Sequence, residues 1–249
     1  MINYKKNLVI IILLLGIILN GCSAFKPRVL NQYSHASFNR GSLANTKFVV
    51  GAVTSQMGNE NERRAYYDVW TLELWNHLNN CKSILKLMPP KYLSKTLGDQ
   101  YETFVYTQEQ NMGLDKEDMD FLNKSLDSEP HYVLTASFIR DDISYEKENI
   151  KDSTGNVTDI EFHTTRSMTV HFEIYDLGSS SLVWSGDIIR TLRSGRSVDK
   201  DSERGGGWFG NILYDAVTGN TEGYPEPPHL GELTKQMYRH LVRVLNAVE

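Results

Sequence analysis

The sequence predicts a mixed α/β domain of the α+β kind, with a largely antiparallel sheet covered by helices. Three observations predict it. Residues 131–192 hold three long runs of alternating patterning, and 47–53 form a short, nearly continuous apolar run. Residues 60–79 and 230–247 repeat apolar side chains at three- and four-residue steps. A period of two marks strands and a period near 3.6 marks helices, so both sheet and helix share one core. That core is expected over 47–249 as a single periplasmic domain, long enough for one substantial interior.

The chain opens on a different kind of segment. Lys5 and Lys6 precede an apolar run from Leu8 to Leu19, broken only by Gly16, and Gly21 stands before Cys22. A bilayer-spanning helix needs roughly 20 apolar residues, whereas a secretory apolar region takes roughly 7–15. Residues 1–21 therefore read as a signal peptide. The ending Leu19-Asn20-Gly21-Cys22 resembles the lipobox of bacterial lipoprotein precursors, with Asn20 the less usual residue. That resemblance implies cleavage before Cys22 and lipid on its sulfur. In the enterobacterial sorting rule, Ser23 after the cysteine implies the outer membrane, with the domain facing the periplasm. Acyl chains contribute roughly 0.8 kcal/mol per buried methylene, and two or more give stable attachment.

Beyond Cys22 the chain carries 24 basic and 31 acidic residues, a formal charge of −7. This balance argues against a nucleic-acid partner, which requires a clustered basic face. Cys81 is the second of two cysteines and is expected to be a small buried residue, not half of a disulfide. Residues 22–46 are rich in Ser, Asn, Arg and Gly without a sustained period, and read as a lipidated flexible tether.

Within the domain, Lys47-Phe-Val-Val-Gly-Ala-Val53 suits a strand buried on both faces. The helix over 60–79 is expected to bury Ala65, Val69, Leu72, Trp75 and Leu78, and Glu60 and Glu62 complement its dipole. Residues 83–88 read as a second strand, ended by Pro89-Pro90, and Pro90 to Leu97 as a short helix. Residues 98–113 read as loop, and 114–126 as a helix burying Met119, Leu122 and Leu126. Three long strands follow at 131–145, 160–175 and 182–192. In the middle one Phe162, Met168, Val170, Phe172 and Ile174 share a covered face. The other face carries His163, Thr165, Ser167, Thr169, His171 and Glu173. A last helix at 230–247 presents Leu230, Leu233, Met237, Leu241, Val244 and Leu245. The order is β-α-β-(α)-α-β-β-β-α.

With the lipobox, this order and the stretch Ile174-Tyr-Asp-Leu-Gly-Ser-Ser-Ser-Leu-Val-Trp-Ser185 in view, the chain resembles a known group. It is similar to envelope lipoproteins on the fold of the TolB amino-terminal domain, including the curli secretion lipoprotein CsgG and the penicillin-binding-protein activator LpoB. Asp176, Gly178, Leu182, Val183, Trp184 and Gly186 fit a hairpin pattern common in that group. The resemblance covers about 47–192 and the final helix, and fold alone does not assign a task. A curli-type channel would need apolar membrane hairpins. The region around 141–162 is too charged for one, with Asp141, Asp142, Glu146, Lys147, Glu148, Lys151 and Asp152.

Catalytic and metal signatures are weak. His163 and His171 share a strand face but are roughly 26 Å apart at about 3.3 Å per residue, too far to share an ion. There is no HExxH, CxxC or G-x-S-x-G. No cofactor, metal or catalytic residue is expected, and the protein reads as a non-enzyme. Gly205-Gly-Gly-Trp-Phe-Gly210 lacks the Gly-Lys-Ser/Thr ending of a phosphate loop. It reads either as a loop packed onto the body or as a docking loop presenting Trp208 and Phe209. Arg193, Arg196 and Arg204 are the basic residues expected to meet a partner beside it, or else form a solvated face. The expected function is a periplasmic accessory or interaction module of an envelope machine, serving secretion, cell-wall synthesis or surface assembly. The alternative is a ring-forming homo-oligomer in a secretion apparatus.

Overall fold

The computed structural model describes residues 28–58, 60–80, 85–126, 130–199 and 223–248. Cys22, Cys81, Arg204, Trp208 and Phe209 lie outside the described residues. Those residues form six strands: β1 (Arg28–Ser34), β2 (Lys47–Ser55), β3 (Lys86–Leu87), β4 (Pro130–Lys151), β5 (Val157–Asp176) and β6 (Ser181–Asp199). The helices are α1 (Arg40–Asn45), α2 (Glu60–Asn80), α3 (Tyr92–Leu97), α4 (Tyr101–Asn111), α5 (Lys116–Ser125) and α6 (Leu230–Asn246). The strands make one mixed sheet in the order β1-β6-β5-β4-β2-β3. β4, β5, β6 and β1 pair antiparallel, and β2 pairs parallel with both β3 and β4. The predicted fold class holds, and the predicted elements follow one another as expected, with β1, α1 and α4 added.

The two parallel connections run in opposite directions along the sheet, so right-handed crossovers place their helices on opposite faces. On one face α1, α2 and α6 cover Phe48, Val53, Leu134, Phe138, Val170, Phe172 and Ile174. On the other, α3, α4 and α5 cover Val49, Val133 and Tyr175. The predicted stripes of α5 and α6 and the predicted apolar face of β5 all turn inward. The hairpin motif is structural. Asp176 Oδ1 accepts from the Gly178 N–H at 2.8 Å to close the turn, while Val183 and Trp184 are buried.

Four expectations need correction. The stretch 22–46 is not a tether throughout, because from Arg28 onward it belongs to the domain. β1 adds an edge strand to β6, and α1 is held by a reciprocal Asn39–Ser42 capping box. Phe38 and Leu43 are 2% and 0% exposed in the main core. Residues 101–111, expected as loop, form α4, whose Phe104 and Gln108 are buried. Of the strand expected at 83–88, residues 83–84 lie outside the described residues, and among 85–88 only Lys86–Leu87 pair as β3. In the irregularity of β2 between Val50 and Val53, the Ala52–Val53 peptide is satisfied by side chains from both helical layers: the Gln108 amide donates to the Ala52 carbonyl at 2.7 Å, and Thr71 Oγ1 accepts from the Val53 N–H at 2.9 Å. Side chains there replace the ladder bonds that the irregularity interrupts. The fourth correction concerns which side of α2 is buried, and it defines a surface.

The last three strands are longer than expected. Beyond a bulge at Phe138/Arg140, β4 continues paired to β5 as far as Lys151↔Val157, and β6 follows β5 to Asp199. This three-stranded arm runs past both β1 and β2. It has its own small cluster of Ile160, Phe162 and Val198, with Val157 and Tyr224 against it. The segment leading into α6 fastens the arm: Thr164 Oγ1 donates to the Pro225 carbonyl at 2.6 Å, and Arg166 to that of Pro228 at 3.3 Å. Asp141 holds the Arg166 guanidinium through two of its nitrogens and raises its pKa.

Candidate functional site

Helix α2 carries more large apolar side chains than one face can use. Tyr67, Leu74 and Leu78 are buried against the sheet, and the Trp70 ring meets Phe138 edge-on at 4.8 Å. The Trp75 indole N–H donates to the Met88 carbonyl at 2.7 Å. That side of the helix is committed to the fold. On the other side Tyr66, Val69 and Leu72 are 54%, 50% and 40% exposed, and Ala65 is exposed beside them. The sequence pattern assigned Ala65, Val69 and Leu72 to the core; the packing assigns them to the surface. Two stripes share one helix, and the sheet accepts only the bulkier one.

Next to this stripe, α2 and α4 enclose a cleft of about 330 Å³ lined by Arg64, Tyr67, Asp68, Tyr101, Glu102, Val105 and Tyr106. Tyr106 is also exposed, with the Arg64 guanidinium 5.1 Å from its ring centroid. Burial first, then the charge of Asp68, pushes the Tyr101 hydroxyl up to about 12, so it stays a neutral donor. Aromatic walls with a few charged groups form a site suited to an apolar anchor carrying a polar end. The sequence contained the signal for it, an excess of apolar residues around α2, but periodicity alone does not say which stripe is spare.

The residues singled out from the sequence are divided. Arg193 and Arg196 stand on β6 in the arm, where Arg193 reaches Glu146 across the sheet at 3.3 Å. They are well separated from the α2 surface in the fold's order. Among the described residues two histidines, His171 and His163, each stand in a carboxylate cluster. His171 lies between carboxylates, with Nδ1 2.5 Å from Asp187 and Nε2 3.3 Å from Glu173. Asn31 of β1 donates to Asp187 at 2.6 Å; Tyr175 donates to Glu173 at 2.6 Å and accepts from the Leu114 N–H at 2.9 Å. The Glu173 and Asp187 hydrogen bonds raise the His171 pKa. With both ring nitrogens engaged, the imidazole is placed to link β1, β6 and β5, not to accept a substrate proton.

The second cluster lies on the arm. Glu148 stands directly opposite Glu161 across β4 and β5, and His163 Nε2 is 3.1 Å from Glu161. The three offer ligand atoms within 4.8 Å of one another. This is an imidazole and two carboxylates brought together by register, which spacing along β5 alone did not reveal.

No family model matches the chain, and no curated protein matches it. Several solved structures are similar in layout. A PelC dodecamer from Paraburkholderia phytofirmans is 14% identical, with 90% of this chain and 99% of that one covered at a TM-score of 0.38. The LpoB C-terminal domain from Salmonella enterica is 14% identical over 62% of this chain and 87% of that one, at 0.34. Lipoprotein GNA1162 from Neisseria meningitidis is 9% identical over 70% and 96%, at 0.33.

Proposed function

We propose that this chain is a non-enzymatic lipoprotein of the bacterial cell envelope, anchored through Cys22, whose domain docks a protein partner on the outer face of α2. The carrying observation is the exposed stripe of Tyr66, Val69 and Leu72 beside the Tyr106 cleft. Folding gains nothing from presenting these side chains to water, and a contiguous apolar surface rimmed by charge is typical of an interaction site. Asp68 and Glu102 at the cleft favour a partner segment whose apolar anchor is flanked by a basic group. The lipobox and Ser23 support placement at the outer membrane facing the periplasm. A role as accessory to secretion, cell-wall synthesis or surface assembly accords with that placement.

The test is in-cell crosslinking from a photoreactive residue at Leu72, compared with the same probe at Lys151 on the arm. A specific, saturable adduct at Leu72 and none at Lys151 is expected. Equal labelling from both positions overturns the docking face. A Cys22→Ser chain is expected to leave the membrane fraction.

A second reading, the ring-forming homo-oligomer, is favoured by the arm. Among the described residues, neither β4 beyond Phe138 nor β6 beyond Ile189 has an outer neighbour. Residues 190–198 of β6 carry Arg190, Arg193 and Arg196 and no carboxylate, while residues 140–151 of β4 mix Asp141, Asp142, Glu146 and Glu148 with Arg140, Lys147 and Lys151. A basic edge and a mixed-charge edge, both open among the described residues, permit head-to-tail pairing of copies. Light scattering after size exclusion decides: a monomer across concentrations excludes the ring.

A further inference from the structure

The fold shortens the leash on the domain. Only residues 23–27 separate Cys22 from β1. At about 3.5 Å per residue, the chain from Cys22 to Arg28 spans at most about 20 Å. Arg28 pairs with Ile189, and β1 runs antiparallel to β6. The covalent path to the lipid therefore starts at the foot of the part of β6 that has no outer neighbour among the described residues. From Ile189 that strand runs on to Asp199, about 33 Å further at ~3.3 Å per residue. The arm is longer than the tether that begins beside its root. With the lipid in the bilayer, the arm cannot stand clear along that direction. Nor can it enter hydrocarbon, given Asp141, Asp142, Glu146, Glu148 and Glu161. Lying along the surface, it stays out of hydrocarbon within reach of the tether.

Charge selects the side that faces down. Between Arg190 and Val198, β6 carries three arginines and no carboxylate. Arg193 and Arg196 are exposed, and Arg190 is half-buried with Glu232 of α6 as its acidic neighbour. The link from Arg193 to Glu146 is an exposed pair of small worth, which another anion can replace. The β4 edge mixes four carboxylates with Arg140, Lys147 and Lys151, and the chain as a whole beyond Cys22 is acidic. An anionic surface attracts the first edge and repels the rest within a Debye length.

We propose that the β6 edge of the arm, through Arg190, Arg193 and Arg196, lies on the anionic phospholipid headgroups of the membrane holding the Cys22 lipid and so sets the domain's orientation. This rests on the lipid-anchor reading. The test uses the full lipidated chain in phosphatidylcholine vesicles with or without roughly 30% phosphatidylglycerol. A donor fluorophore is placed by a non-canonical residue at Ser197 on β6 or at Asn149 on β4, with an acceptor on the lipid headgroups. The two edges lie about 10 Å apart. Transfer from Ser197 is expected to exceed that from Asn149 at least twofold. The asymmetry is lost without phosphatidylglycerol, in high salt, and in an Arg193→Gln/Arg196→Gln variant of unchanged melting temperature; Arg→Lys at both positions keeps it. Equal transfer from the two edges, or an asymmetry indifferent to lipid charge and salt, overturns the proposal. Flotation separates the two readings. Wild-type chains that fail to float, or Cys22→Ser chains that float as well as wild type, refute the anchor itself. Anchored chains with symmetric transfer refute only the orientation.

Discussion

At the scale of single residues, the most informative group is His171. Its imidazolium is held by Glu173 and Asp187, and through them by Tyr175 and Asn31, so one side chain couples the amino-terminal strand to the loop before α5. Its pKa in the folded state lies above the ordinary 6.5. A raised value means that the contribution to stability is complete below about pH 6.5 and is lost as pH rises through the folded pKa. Urea unfolding is therefore expected to show lower stability at pH 8.5 than at pH 6. His171→Gln is expected to cost about 2 kcal/mol at the lower pH, the worth of a charged hydrogen bond, and to flatten the difference. A wild-type profile with no fall between these pH values would contradict the assignment. Gly113 belongs to the same arrangement: a Cβ there would sit 2.2 Å from Glu173 Oε2 and 2.6 Å from the Tyr175 hydroxyl. Even Ala at 113 has to push those two groups apart.

At the scale of elements, α2 separates what packing uses from what it leaves over. Leu74→Ala removes a fully buried side chain and is expected to cost about 2–5 kcal/mol in denaturant unfolding. Val69→Asp and Leu72→Asp change exposed positions and are expected to shift stability by no more than about 0.5 kcal/mol, and Val69→Asp is expected to abolish the crosslink from the probe at position 72. Large destabilisation by Leu72→Asp would show that the outer stripe belongs to the core after all. Gln108→Ala leaves the Ala52 carbonyl without its donor in the irregularity of β2. It is expected to cost about 1–3 kcal/mol, the penalty for a buried unsatisfied group.

At the scale of the molecule, the amino-terminal 28–46 is part of the body. Leu43→Ala is expected to lower stability by about 2–5 kcal/mol, an effect that a substitution in a flexible tether would not have. The two helical layers hold the sheet at its centre, and the arm extends beyond them with, among the described residues, a small cluster of three buried side chains. Hydrogen exchange is accordingly expected to be slow across residues 168–175 of β5 and faster across 157–163 of the same strand.

Much of this was legible from the sequence. The alternation in β5 named its buried face correctly because a strand allows only two faces, so one run of residues settles the choice. The stripes of α5 and α6 were legible because each of those helices has a single apolar side. α2 was not, since it has apolar residues on both sides and the sheet decides which are covered. β1 and α1 were invisible for a related reason. Arg28-Val-Leu-Asn-Gln-Tyr-Ser34 has little apolar content of its own and becomes a strand by pairing with β6. The Glu148–Glu161–His163 cluster and the His171 links depend on cross-strand register, which no spacing along one strand contains. Local patterning therefore determined the fold class, the succession of the elements with a strong period and the inward faces of those with one apolar side. Tertiary structure alone decided the spare face of α2, the length of the tether and the exposed arm, because each depends on what packs against a segment and not on the segment itself.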